Sequence, residues 1–150
     1  MFLDLGLFFD AATRRADLAL GSDWQPVLDE TAVTPMLVAI GSDRLADPDD
    51  PLPAGRSELN QPALAARRGW PGDALDASGR RLGSKVWLLD RAKATEETRA
   101  MFEFWLREAL AWAVAEGRLV KIAVSWERPG LLGFAVAVDG TELAARRSLG

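Results

Sequence analysis

Val120-Lys121-Ile122-Ala123-Val124-Ser125-Trp126-Glu127, then Arg128-Pro129-Gly130, then Leu131-Leu132-Gly133-Phe134-Ala135-Val136-Ala137-Val138 and Asp139-Gly140: this run decides the fold class. Val120, Ile122, Val124 and Trp126 alternate with Lys121, Ala123, Ser125 and Glu127, and Leu132, Phe134, Val136 and Val138 keep the same period. A period of two marks a half-buried strand. Directly opposed residues share a face, so the first turn must keep even positions opposite even ones. A three-residue loop, Arg128-Pro129-Gly130, does so, with Gly130 supplying the left-handed residue of a bulged hairpin. Asp139-Gly140 suits a two-residue turn and places Val136 opposite Leu143 and Phe134 opposite Ala145. Three antiparallel strands with consistent parity follow. On their second face Gly133, Ala135 and Ala137 lie beside Ala123 and Ser125. Small residues there fit solvent, a closely packed second layer, or close approach by another protein.

The apolar face of this meander needs a cover, and Thr95 to Glu116 supplies one. Thr95 can cap a helix, Glu96 and Glu97 suit its positive end, and Gly117 stops it. One continuous helix would run about 33 Å. Its polar stripe is narrow, Arg99, Glu103 and Arg107 at four-residue spacing with alternating sign. Met101, Phe102, Phe104, Trp105, Leu106, Leu110, Trp112 and Val114 occupy most of the rest. A helix so apolar is central to a core or covered by a partner.

Towards the N-terminus, Leu3, Leu5, Leu7 and Phe9 alternate as an opening strand, and Asp17 to Leu20 reads as a second short one. Thr31 to Ile40 reads as a helix ended by Gly41-Ser42. It starts either with Thr34 as cap and Pro35 in the first helical position, or near Asp29 with Pro35 just inside the first turn. Residues 43–66 form a long loop rich in proline and aspartate, and Arg81 to Asp90 reads as a further helix. The fold class is therefore α+β, in one domain covering residues 1–150.

Composition narrows the chemistry. The chain has 150 residues, 49% hydrophobic and 27% charged, with neither cysteine nor histidine. Disulfides, thiolate nucleophiles, the usual zinc ligands and the commonest neutral-pH base are excluded. A net charge of −4 disfavours nucleic acid or an anionic membrane as main partner. No window has the roughly 20 apolar residues of a membrane span, and Met1-Phe2-Leu3-Asp4 lacks the basic start of a secretory signal, so cytoplasmic synthesis is expected.

The motifs that remain are weak. Asp47, Asp49 and Glu58 match three positions of a calcium loop, but Pro51 and Leu52 break its geometry. A pair such as Asp73 with Glu58 would serve glycoside hydrolysis only at a fixed separation, and 22 acidic residues make some pair inevitable. Gly79 to Gly83 is one residue short of phosphate-loop spacing. No catalytic residue, cofactor or metal ligand is therefore assigned. Trp87, Trp105, Trp112 and Trp126 sit in apolar periodic segments and read as core anchors. Trp24 and Trp70 lie in loops and read as contact residues.

Several landmarks occur in a telling order: Asp29-Glu30-Thr31-Ala32-Val33, Asp43-Arg44, and Asp49-Asp50-Pro51-Leu52-Pro53. Arg67-Arg68-Gly69-Trp70-Pro71-Gly72-Asp73, Gly83-Ser84-Lys85-Val86-Trp87-Leu88-Leu89 and Ala109-Leu110-Ala111-Trp112 follow. Over residues 29–138 the chain resembles the Mu-like phage baseplate protein family, related to the lysozyme-like wedge subunit, or sheath initiator, of contractile tails. The resemblance implies a lysozyme-like wedge fold and a virion protein of the tail baseplate, with six copies expected. Its implied partners are larger wedge proteins, the tail sheath protein and tail tube or spike-hub proteins. Partner contacts are expected at Trp24, Arg68, Trp70, Leu143, Ala145, Arg146 and Arg147. The final strand, residues 142–149, is a candidate open edge for strand addition, with Arg146 and Arg147 discouraging wrong pairing. A lysozyme-like hydrolase and a regulatory binding module of the same fold are the alternatives.

Overall fold

The computed structural model describes residues 4–149 except 11, 14 and 58, and no side chain is described at 9, 63 or 64. Leu3 and Glu58 thus lie outside the described residues. The C-terminal meander is present with the register that parity demands. Strands β5 (Val120–Arg128), β6 (Leu131–Val138) and β7 (Thr141–Ser148) form one antiparallel sheet in that order. Ile122 faces Val136, Val136 faces Leu143, and Phe134 faces Ala145. The first turn differs in detail. Arg128 pairs with Leu131, leaving a two-residue turn at Pro129-Gly130, and the extra residue is taken up as a bulge at Glu127. Beyond the bulge, from Trp126 back to Val120, even positions oppose even ones, because a bulge and a longer loop shift parity equally. At the second turn Asp139 and Gly140 both have positive φ, 50° and 85°, as a tight hairpin matched to strand twist requires.

The expected helix from Thr95 to Glu116 is two helices. Helix α3 (Glu96–Ala109) starts where Thr95 Oγ1 accepts the Thr98 N–H, and α4 (Ala111–Ala115) follows after Leu110. Leu110 leaves the helical region (φ −96°, ψ 9°), and the Ala113 N–H bonds back only three residues to the Leu110 carbonyl at 3.0 Å. Leu110 and Ala113, on either side of this break, are both fully buried. Gly117 (φ 74°) closes α4: its N–H bonds to Val114 O and that of Arg118 to Ala113 O, satisfying two terminal carbonyls.

Sheet and helix bury their apolar faces against each other. Leu132, Val136 and Val138 from β6 meet Phe102, Leu106 and Leu110, and the Phe102 and Phe134 rings lie 5.4 Å apart at 53°. Each such side chain contributes about 1.5–3 kcal/mol relative to exposure. The segment expected as a helix within Arg81–Asp90 is a short 3-10 helix, Lys85–Leu89, which carries the wholly buried Trp87 into this core.

Helix α1 (Val33–Gly41) ends as expected at Gly41-Ser42, but its start is neither simple cap. Thr34 is helical, and Pro35 sits inside the first turn, where a missing N–H leaves nothing unsatisfied. Asp29 supplies the acceptors instead, taking the Thr31 and Thr34 N–H groups at 2.8 and 3.0 Å. Burial opposes the charge of Asp29, but these bonds and that of the Thr31 hydroxyl hold its pKa at about 2, against an ordinary 3.8. Freed from capping, the Thr34 hydroxyl accepts the Leu7 N–H and donates to Leu5 O, tying the N-terminal strands to α1.

The opening strand is split at Gly6 into β1 (Asp4–Leu5) and β2 (Leu7–Asp10), and the second strand, β3, is Arg15–Leu18. β2 pairs with β3, while β1 pairs with β4 (Leu28–Asp29). Gly6 donates to Val27 O and accepts from Ala19 N, and Val27 N bonds Ala19 O. Three short stems therefore meet at one glycine. A Cβ there would stand 3.1 Å from Val27 O, too close without adjustment. Among the described residues of the 43–66 loop the one regular element is α2 (Ala63–Ala66).

Candidate functional site

A two-residue hairpin closes on a hydrogen-bonded pair, so Val138 with Thr141 fixes which way every β7 backbone group points. Odd residues of β7 bond to β6. Glu142, Ala144 and Arg146 direct their N–H and C=O groups outward, and no described residue bonds to those groups. The opposite edge of the sheet is treated differently: the Arg99 guanidinium donates to Val124 O at 3.3 Å, and α3 packs along β5. Helix α1 packs against β7 as well, but no described residue bonds to its outward backbone groups, so the β7 edge is the one open to hydrogen bonding.

The expected contact residues of this strand divide between its faces. Leu143 packs against the core, with Ala145 half-buried on the same side. Arg146 points outward and pairs with Glu127 at 2.8 Å. That pair lies over Gly133, where a Cβ would come within 2.8 Å of the Glu127 carboxylate. Arg147 points inward to Asp90 at 2.9 Å. Both arginines are thus held in internal ion pairs. The outer face of the sheet, with Ala123, Ser125 and Ala144, is exposed, and no second layer of described residues covers it.

The sequence motifs around Trp87 converge in one knot. Arg68, with φ 53°, lays its guanidinium 4.6 Å from the Trp87 ring centre and pairs with Asp43 at 2.7 Å and Asp90 at 3.7 Å. The Trp87 indole N–H donates to Arg44 O at 2.8 Å. Arg67 donates to the carbonyls of Asp47 and Pro48. Lys85, its side chain only 7% exposed, reaches Asp47 at 2.5 Å and Asp50 at 2.7 Å. Burial pulls the Lys85 pKa down, but bonds to the two carboxylates overcome it and leave it above the ordinary value. Hydrogen bonds from Lys85 and Arg81 lower that of Asp47. Gly83 (φ 95°) lets its segment approach Ser42, whose carbonyl lies 2.6 Å from where a Cβ would be. The first part of the proline-rich loop is thus pinned by the buried Lys85 and the half-buried Arg67. Arg68, expected at a partner surface, is part of this internal knot.

Trp24 and Trp70 are where the loop reading puts them, on the surface. Trp24 is 78% exposed at the tip of a stem, and Trp70 lies across Gly72 with its outer side bare. Trp87 and Trp105 are buried, and Trp112 and Trp126 are half-buried around the core. A set of exposed leucines at residues 4–29 lies outside the expected contact residues, because alternation assigns a shared face and says nothing of what covers it. No group of three or more described Asp, Glu, His or Cys residues is placed to hold a metal ion, and no described helix is long and apolar enough to cross a membrane.

An open sheet edge, a braced core and exposed aromatic side chains are the features of a protein built for assembly. The family described as Phage protein GP46 matches residues 32–144, and the chain belongs to that family, the Mu-like baseplate family its motifs resemble. Its relatives include baseplate protein gp46 of Escherichia phage Mu, 35% identical over 100 residues. That alignment spans 67% of this chain and 62% of the Mu protein, less than two thirds of the relative's length.

Proposed function

We propose that the protein is a structural subunit of a phage tail baseplate: a wedge component of a contractile tail, with the lysozyme-like wedge fold. In this reading it resides in the virion in six copies, joins larger wedge proteins around the tail tube or spike hub, and starts the sheath. The observation that carries the mechanism is the unpaired edge of β7. Backbone groups of Glu142, Ala144 and Arg146 stand ready for a strand from a sheath subunit, and β-augmentation needs such an edge. The family membership supports the baseplate setting.

Trimming the chain after Gly140 is a poor test, since it also removes the fully buried Leu149. Ala144→Pro is cleaner. It deletes an outward N–H and no bond to β6, and proline is tolerated on strand edges. The expected result is a folded protein, by circular dichroism and melting temperature, that no longer nucleates sheath in reconstituted tails. Normal sheath growth with this variant would refute the strand-addition mechanism.

A further inference from the structure

The three-stem arm at residues 4–29, a small part of the chain, carries seven of the fourteen large hydrophobic side chains that are exposed among the described residues. Leu5 and Leu28 are direct cross-strand partners, 44% and 59% exposed. Leu18, 43% exposed, stands opposite Leu7 in the adjoining β2–β3 pair, on the other side of Gly6. Phe8 is half exposed on the reverse face, and Trp24 caps the stem that leaves Gly6. An apolar patch of this kind on a small domain marks an interaction site. The arm also lies before the first residue matched by the family.

Charge selects the occupant. Residues 1–30 contain six acids and two arginines, a balance of −4, while residues 31–150 contain 16 acids and 16 bases and balance to zero. The whole net charge of the chain therefore belongs to its N-terminal segment. Asp4 and Asp17 are exposed on the same stems as the leucines. A second copy docked arm to arm would set two such charges against each other, and the neutral remainder offers no net complement. An anionic lipid surface is repelled as well.

We infer that this arm docks on a different protein, one presenting an apolar surface rimmed by lysine and arginine. The inference rests on the baseplate reading, because the partner is sought within the tail. Bare aromatic and leucine side chains provide the central contact, and the surrounding carboxylates steer and orient it.

The test places a photo-crosslinking amino acid at position 24 of the full chain and irradiates purified tail particles. A crosslink to an apolar, lysine- or arginine-flanked peptide of another tail protein is expected. In competition during assembly, Trp24→Ser/Leu28→Ser and Asp4→Lys/Asp17→Lys should each incorporate at least about tenfold less than wild type. Particles that contain the protein but give no crosslink, or a crosslink to another copy of it, overturn the inference. So does flotation of the purified chain with phosphatidylcholine vesicles that Trp24→Ser abolishes. Absence of the protein from particles would instead sink the baseplate reading itself.

Discussion

Two β-regions of this molecule follow the same alternation of apolar residues and end in opposite states. In the meander, Val120 to Ser148, strands of eight or nine residues pair over their full length, and the face they share is sealed by α3. In the N-terminal arm, strands of two to four residues meet at Gly6, and the leucines they align remain in solvent. A period of two determines which side chains share a face. Whether that face is buried depends on what another part of the chain places over it. In the arm the tie to α1 is made through the Thr34 hydroxyl and the strand backbone, and it leaves Leu5, Leu18 and Leu28 exposed.

The contrast can be broken by substitution. Trp87→Ala should cost the most, about 3–5 kcal/mol of unfolding free energy in a urea titration, since the ring is wholly buried at the centre of the knot. Removing it also strands the buried side of Arg68. Leu149→Ala should cost about 2–4 kcal/mol, because the last described residue fills the core and its carbonyl takes the Arg91 N–H at 2.7 Å. A loss below about 1 kcal/mol there would mean that the end of β7 frays in solution.

Asp29→Asn sharpens the comparison at the point where arm joins body, with an expected cost of about 1 kcal/mol at neutral pH. The folded pKa of Asp29 is depressed, so its contribution is complete above the unfolded value near 3.8 and fades as pH falls towards about 2. The gap between wild-type and Asn variants in urea midpoint should therefore be full at pH 5 and narrow sharply by pH 2. A gap independent of pH would mean that the carboxylate is not what holds the Thr31 and Thr34 amides. Leu28→Ser should have the smallest effect, within about 0.5 kcal/mol, as for most surface substitutions. A large loss would show that the arm's face is covered in the isolated chain.

The sequence was most legible where the physics is local. Alternation from Val120 to Val138 with Asp139-Gly140 was enough to write the β6–β7 register residue by residue, and Thr95 announced the start of α3. The open edge of β7 could be anticipated because the last strand of a meander has one neighbour by construction. It was less legible which arginines would be free. Arg68, Arg146 and Arg147 are held by Trp87, Glu127 and Asp90, groups 19 or more residues away along the chain. Nor did periodicity reveal the break at Leu110, since the five residues of α4 are all apolar and carry no period of their own.

The sequence alone determined the meander strands, the β6–β7 register with its Asp139-Gly140 turn, and the Thr95 cap, because each depends on backbone geometry over a few neighbouring residues. Tertiary structure decided the three-way junction at Gly6, the burial of Lys85 between Asp47 and Asp50, and which apolar face stays bare. Those depend on distances between segments far apart in the chain, and such distances exist only once the whole chain has packed.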